Sequence, residues 1–182
     1  MGKVYDIIDE KIREWVEHQK MYFVATAPLS GDGLVNCSPK GMDSFRILGP
    51  TTIAYLDLTG SGVETIAHLK ENGRICVMFC AFDGGPKIMR FHGTGKVHEL
   101  DSARYEELLP QFVDMPGARA IIEIEVARIS DSCGWGVPFY DYKSERETLI
   151  KASVKEGEDG MAAYRDKKNR KSLDGLVGFE SK

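Results

Sequence analysis

Apolar positions recur along this chain in two rhythms, and the switches between them mark its elements. Near the start, Val4, Ile7, Ile8, Ile12, Trp15 and Val16 return every three or four residues. That spacing predicts an amphipathic helix over Val4 to Gln19, with Trp15 on the buried stripe. The rhythm then shortens. Met21 to Ala27, Leu34 to Ser38, Ser44 to Leu48 and Thr51 to Asp57 are β-rich runs, separated by Pro28 with Ser30-Gly31-Asp32-Gly33 and by Gly49-Pro50. A helical stripe of Val63, Ile66, Ala67 and Leu69 follows and closes at Asn72-Gly73. Strands from Arg74 to Phe82 and from Ile88 to Val97 flank the turn Asp83-Gly84-Gly85-Pro86. Asp101 is expected to cap a helix carrying Tyr105, Leu108, Leu109 and Phe112. Ala120 to Ile129 then alternates, with Ile122, Ile124 and Val126 inward and Glu123 and Glu125 outward.

About six or seven strands joined by short turns, with helices at the margins, predict a mainly β protein. The architecture expected is an antiparallel barrel and not a doubly wound sheet. In the strand Ile88 to Val97, Met89, Phe91, Gly93, Gly95 and Val97 share one face, while Arg90, His92, Thr94, Lys96 and His98 share the other. Two glycines on one face permit the bending and close backbone approach that a small barrel requires. The barrel is expected over residues 1–131. Residues 132–182 form a helical extension packed on it, entered through Ser132-Cys133-Gly134-Trp135-Gly136-Val137-Pro138 and the aromatic run Phe139-Tyr140-Asp141-Tyr142. Ser144 with Glu147 is expected to start the last helix, and the tail from Lys167 is polar, basic and expected to be mobile.

Composition narrows the function without choosing it. The 182 residues are 42% hydrophobic and 29% charged with net charge −4, an ordinary globular balance. The lack of a basic excess argues against general nucleic-acid binding. No apolar run reaches membrane-spanning length and no signal-peptide core is present, so a cytoplasmic location is expected. Cys37, Cys76, Cys80 and Cys133 show no metal-ligand spacing and suggest no disulfide framework, and no metal is expected.

One stretch carries candidate chemistry. Asp57-Leu58-Thr59-Gly60-Ser61-Gly62-Val63-Glu64-Thr65 reads as a strand end, a small-residue loop and the first turn of a helix. Backbone N–H groups and the helix dipole make such a start a cradle for phosphate. Ser61 and Glu64 also have the spacing of a capping box, which needs no ligand.

The order of these pieces resembles the pyridoxamine-5′-phosphate-oxidase-like FMN-binding split-barrel superfamily. The resemblance rests on Asn36-Cys37-Ser38-Pro39-Lys40-Gly41, the stretch Asp57 to Thr65, Asn72-Gly73-Arg74-Ile75-Cys76-Val77-Met78-Phe79 and Arg90-Phe91-His92-Gly93-Thr94-Gly95. It covers roughly residues 15–140, and Ser132 to Pro138 is similar to one uncharacterised branch. It implies a homodimer with FMN across the interface and the flavin ring on the backbone of Ser38-Pro39-Lys40-Gly41. Ser61 and Thr65 would then hydrogen-bond the phosphate, and Lys40 and Arg90 would supply positive charge. Gly60 and Gly62 would allow close approach, with Asp57 and Thr59 beside them. An FMN-dependent oxidoreductase acting on a small molecule is the implied function, with no catalytic residue assigned. A non-catalytic flavin or haem module, with His92 as haem ligand, and an F420-dependent reductase are the alternatives. Lys40 as a turn lysine, His92 as a barrel histidine, Trp135 as lid or core residue, and Arg46 as phosphate ligand or surface residue stay open. The Arg-rich strand and the terminal Trp- and Arg-containing motifs of true pyridoxamine-phosphate oxidases are missing, so the resemblance implies fold and cofactor but not vitamin B6 oxidation.

Overall fold

The computed structural model describes residues 2–180. One antiparallel sheet of eight strands dominates it: β1 (Val4–Tyr5), β2 (Tyr22–Thr26), β3 (Asn36–Lys40), β4 (Phe45–Ile47), β5 (Thr52–Leu58), β6 (Arg74–Cys80), β7 (Ile88–Glu99) and β8 (Ala118–Ser132). The strand order is β3-β2-β6-β7-β8-β5-β4, and β1 also pairs with β8. Four helices flank it: α1 (Glu10–His18), α2 (Glu64–Asn72), α3 (Ala103–Leu108) and α4 (Thr148–Lys168). The expected antiparallel split barrel is the fold that forms.

The sheet curls until its ends meet through aromatic side chains rather than through a ladder. Phe45 on the edge strand β4 lies 5.3 Å from the Tyr22 ring and 5.0 Å from Phe79, centroid to centroid. The Tyr22 hydroxyl and Ser44 Oγ are 2.9 Å apart across the same seam. Inside the curl, Val24, Ile53, Tyr55, Val77, Met89, Phe91, Ile122 and Ile124 are fully buried, the inward half of each alternating strand. A second, smaller cluster on the opposite face of β5 and β8 joins Ala54, Leu56 and Ile121 to Tyr105, Leu108 and Phe112. Gly93 shows why glycine is needed on β7. A Cβ there would stand 2.1 Å from the Glu125 carbonyl oxygen, next to a bulge where Ala127 of β8 is skipped in the pairing.

Several expectations change at element ends. The helix expected over Val4 to Gln19 begins only at Glu10, where the Asp9 carboxylate accepts the Ile12 N–H at 2.9 Å. Val4 and Tyr5 instead pair with Ser130 and Ile129, and Lys3 N–H donates to Asp131 Oδ1. Pairing to a long strand here outweighs helical periodicity. Ser102, not Asp101, caps α3, accepting the Tyr105 N–H. The last helix starts at Thr148, and 133–147 has no regular structure. The tail expected to be mobile is packed: Asn169 is fully buried, and Ser172 and Gly178 are buried as well. Its backbone folds back on itself, with Phe179 N–H donating to the Asn169 carbonyl at 2.9 Å.

Candidate functional site

The predicted cofactor residues fall largely in one place, where the end of β5, the loop 59–63 and the start of α2 meet β3. Tyr22 and Val24 on β2 point inward, and their β3 partners Lys40 and Ser38 do the same. Asn36, Ser38 and Lys40 therefore form one half-buried polar row beside the loop. Ser38 Oγ donates to Asn36 Oδ1 at 3.0 Å, and Asn36 Nδ2 donates to Thr65 Oγ1 at 2.9 Å and to Thr26 Oγ1 at 3.2 Å. Thr26 Oγ1 lies 3.0 Å from His68 Nδ1. The row thus continues into α2 as an unbroken chain of hydroxyls and amides. Replacing Thr26 by valine is expected to orphan the buried His68 Nδ1 and weaken the Asn36 anchor, costing about 1–3 kcal/mol. Urea unfolding should show a lower midpoint with an unchanged slope.

The charge centre is Asp57. It is fully buried, with Lys40 Nζ at 2.6 Å from Oδ1 and Arg119 Nε at 2.7 Å from Oδ2. Burial alone would raise its pKa, but the charges and hydrogen bonds of Lys40 and Arg119 together outweigh it and hold the carboxyl below its ordinary range. Arg119 in turn donates through Nη1 to Asn169 Oδ1 at 2.9 Å. Asn169 Nδ2 donates to the carbonyl oxygens of Gly60 and Ser61, at 2.9 and 3.4 Å. A relay of side chains so runs from Lys40 through Asp57, Arg119 and Asn169 to the loop backbone.

The start of α2 has no side-chain cap. Its N-cap is Val63, which offers no side-chain acceptor, so the capping box of Ser61 and Glu64 does not form. The Glu64 carboxylate instead accepts the Leu173 N–H at 3.3 Å through Oε1, while Oε2 lies over Gly62, where a Cβ would meet it at 2.4 Å. Ser61 and Gly62 are exposed, and a Cβ at Gly60 would meet nothing within 4 Å. The first turn of α2 therefore has no side-chain cap, with the exposed Ser61 just before it and the buried Thr65 hydroxyl within it.

Other predicted residues lie elsewhere. Arg90 alternates with the buried Met89 and Phe91, so it stands on the outer face of the sheet, opposite to Lys40, where Nη1 donates to Ser132 Oγ at 3.0 Å. Within one copy it does not join the Lys40 cluster. Pro39 faces the same outer side as Arg90, while Gly41 sits at the bend after β3. Thr59 is buried, its N–H donating to the Gly117 carbonyl. Arg46 pairs with Asp43 through both terminal nitrogens. His92 is exposed on the outer face, and Trp135 is 84% exposed and is no core residue. Sequence reasoning missed Asn36, Arg119 and Asn169. A signal for Arg119 existed: an aspartate in the apolar run Thr52–Leu58 demands a buried cation.

Comparison with known proteins gives a consistent picture. Residues 8–133 match the family model described as pyridoxamine 5′-phosphate oxidase. The chain is 38% identical over 196 residues to pyridoxamine 5′-phosphate oxidase family protein ustO of Aspergillus flavus, covering 97% of this chain and 78% of the relative. Among solved structures, HupZ of Group A Streptococcus superposes with a TM-score of 0.52 at 25% identity, covering 67% of this chain and 91% of HupZ. A single-residue variant of HupZ gives a TM-score of 0.54 at the same identity, covering 69% and 99%.

Proposed function

The chain belongs to the pyridoxamine 5′-phosphate oxidase family, and from that premise we propose that it is an FMN-binding oxidoreductase acting on a small molecule. The observation that supports this most is the uncapped start of α2 beside the polar row Asn36, Ser38 and Lys40. Ser61, Thr65 and the first-turn N–H groups would hold the phosphate, with Lys40 nearby as the cation held in place by Asp57. The backbone of Ser38 to Gly41 would carry the ring; Gly60 leaves the approach clear, and the Glu64 carboxylate beside Gly62 would have to swing aside. FMN would supply hydride or electron transfer, and the protein would supply binding, orientation and electrostatics.

A homodimer is part of the proposal. On the outer face, Phe23, Cys76 and Met78 are only half-buried, and Trp135, Phe139, Tyr140 and Tyr142 beside the sheet are exposed. An apolar surface of that kind suits a second copy, whose own outer-face residues, Arg90 included, would be brought to the interface. A cytoplasmic setting is in keeping with the four unpaired cysteines. Among the described residues, no helix is long and apolar enough to cross a membrane.

The test is an absorbance spectrum of the purified protein, followed by FMN titration of the stripped form. Saturable binding with a flavin spectrum is expected. Ser61→Ala, on an exposed residue, should weaken it about tenfold or more through one lost charge-assisted hydrogen bond while leaving the fold intact. Absence of FMN binding would sink the proposal. A Soret band in the purified protein would replace it with the haem module, and turnover with F420 but not FMN with the deazaflavin reductase.

A further inference from the structure

Two buried polar atoms, His68 Nε2 and Asp174 Oδ2, have no hydrogen-bond partner, yet they lie only 3.5 Å from each other. His68 is fully buried on α2, and Asp174 belongs to the tail, with 17% of its side chain exposed. The other carboxylate oxygen, Oδ1, accepts the Leu34 N–H at 3.1 Å. Asp174 is thus held with one oxygen toward the ring. On the far side of the ring, Nδ1 is 3.0 Å from Thr26 Oγ1, and the chain runs on through Asn36 to Thr65 and Ser38.

The number of protons along this chain limits how it can be wired. A neutral imidazole has one N–H and one acceptor nitrogen, a hydroxyl has one proton to give, and an amide gives protons only from nitrogen. Two patterns complete the links without orphaning the buried Thr26 proton. In the first, His68 carries its proton on Nε2 and Thr26 donates to Nδ1. Asn36 Nδ2 then donates to Thr26 and Thr65, and Ser38 donates to Asn36 Oδ1. The Thr65 proton is left over for a ligand acceptor, and Ser38 can only accept. In the second, His68 carries its proton on Nδ1 and the Asn36 amide is turned over. Thr26 and Thr65 then donate to the amide oxygen, and the free proton is on Ser38. The carboxylate oxygen facing Nε2 accepts and cannot donate, so it calls for the proton on Nε2. An interaction with a charged acceptor outweighs the neutral bond that the second pattern would give Thr65.

We propose that Asp174 is a positioning residue: by holding the His68 proton on Nε2, it leaves Thr65 as the hydroxyl donor of the row and Ser38 as an acceptor. The group seated at Thr65 is then one that accepts, such as a phosphate oxygen. Its identification with the FMN phosphate rests on the reading above; the choice of tautomer does not.

The test is long-range proton–nitrogen NMR correlation on histidine-labelled protein at about pH 8, above the ordinary histidine value of about 6.5. The chain has four histidines, and the three that are not buried, His18, His92 and His98, are assigned by single replacement with glutamine. Wild type is expected to show the Nε2–H ring at His68. Asp174→Asn keeps the shape but has one side-chain oxygen. With that oxygen retained by the Leu34 N–H, the amide nitrogen faces His68 Nε2 and can only donate. The ring proton should move to Nδ1, and FMN affinity should fall about fivefold or more as the Thr65 hydroxyl turns to Asn36. An Nδ1–H or doubly protonated ring in wild type overturns the proposal, as does an Nε2–H ring retained in Asp174→Asn. So does an inverted ring with FMN affinity unchanged. Should Asp174→Asn fail to fold, Asp174→Ala removes the acceptor without adding a donor and should give a mixture of the two tautomers; a pure Nε2–H ring there overturns the proposal. If wild type takes no FMN, the flavin reading fails by itself, and the tautomers of wild type and Asp174→Asn decide this one.

Discussion

Asp57→Leu is expected to lower the melting temperature by on the order of 10 °C. The substitution removes a carboxylate and leaves two cations facing an apolar side chain. One of them, Arg119, has only 5% of its side chain exposed, and the other, Lys40, 22%. Breaking a buried ion pair from one side costs about 3–5 kcal/mol, because the remaining charge keeps its desolvation penalty and loses its partner. For a chain of this size each kcal/mol moves the midpoint by about 2–4 °C. Asp57→Asn keeps the shape and one acceptor oxygen, so it should fall between wild type and leucine. The same group gives the stability a pH dependence of known sign. The folded pKa is depressed relative to the unfolded chain, so the unfolded state binds the proton more readily. The contribution is complete above the ordinary carboxylate range and is lost as pH falls through the folded value. Thermal melts from neutral pH into acid should therefore show wild type losing more stability than Asp57→Asn. Parallel curves for the two proteins would mean that the pair contributes nothing on balance.

Asp57 also shows how much of the site could be read from the sequence. The small-residue loop and the following helix were legible because each is local, a turn composition and a helical stripe, whereas Ser38 and Lys40 of β3 entered only through the family resemblance. The strands were legible for the same reason, since period-two burial survives whatever the partner is. What was not legible depends on partners distant in the chain. Val4 and Tyr5 look helical until Ile129 and Ser130 are available to pair with. Ser61 and Glu64 have capping-box spacing, yet the Leu173 N–H claims the Glu64 carboxylate from 109 residues away. The resemblance sets Arg90 with Lys40, and strand alternation together with the curl of the sheet puts them on opposite faces.

The tail is the largest of these long-range effects, and Asn169→Ala should expose it. Polar composition after Lys167 suggested mobility, but composition does not record how many hydrogen bonds one amide can make. Asn169 is fully buried and uses both ends of its side chain. Oδ1 accepts from Arg119 Nη1, and Nδ2 donates to the Gly60 and Ser61 carbonyls. Truncation to alanine orphans a guanidinium N–H and a loop carbonyl together. At about 1–3 kcal/mol for each buried group left without a partner, the expected loss is on the order of 3 kcal/mol. The melting temperature should fall by about 6–12 °C. Asn169→Asp makes a sharper comparison: it keeps the acceptor for Arg119 but sets a carboxylate against the carbonyl of Gly60, so it should rescue little. Limited proteolysis supplies the local readout, since the released tail uncovers Val63, which Gly178 now touches closely. Cleavage after Arg170 or Lys171 should accelerate in Asn169→Ala well below its melting temperature. If cleavage stays as slow as in wild type, the tail is held by Asp174 and Phe179 instead, and the relay from Lys40 ends at Arg119.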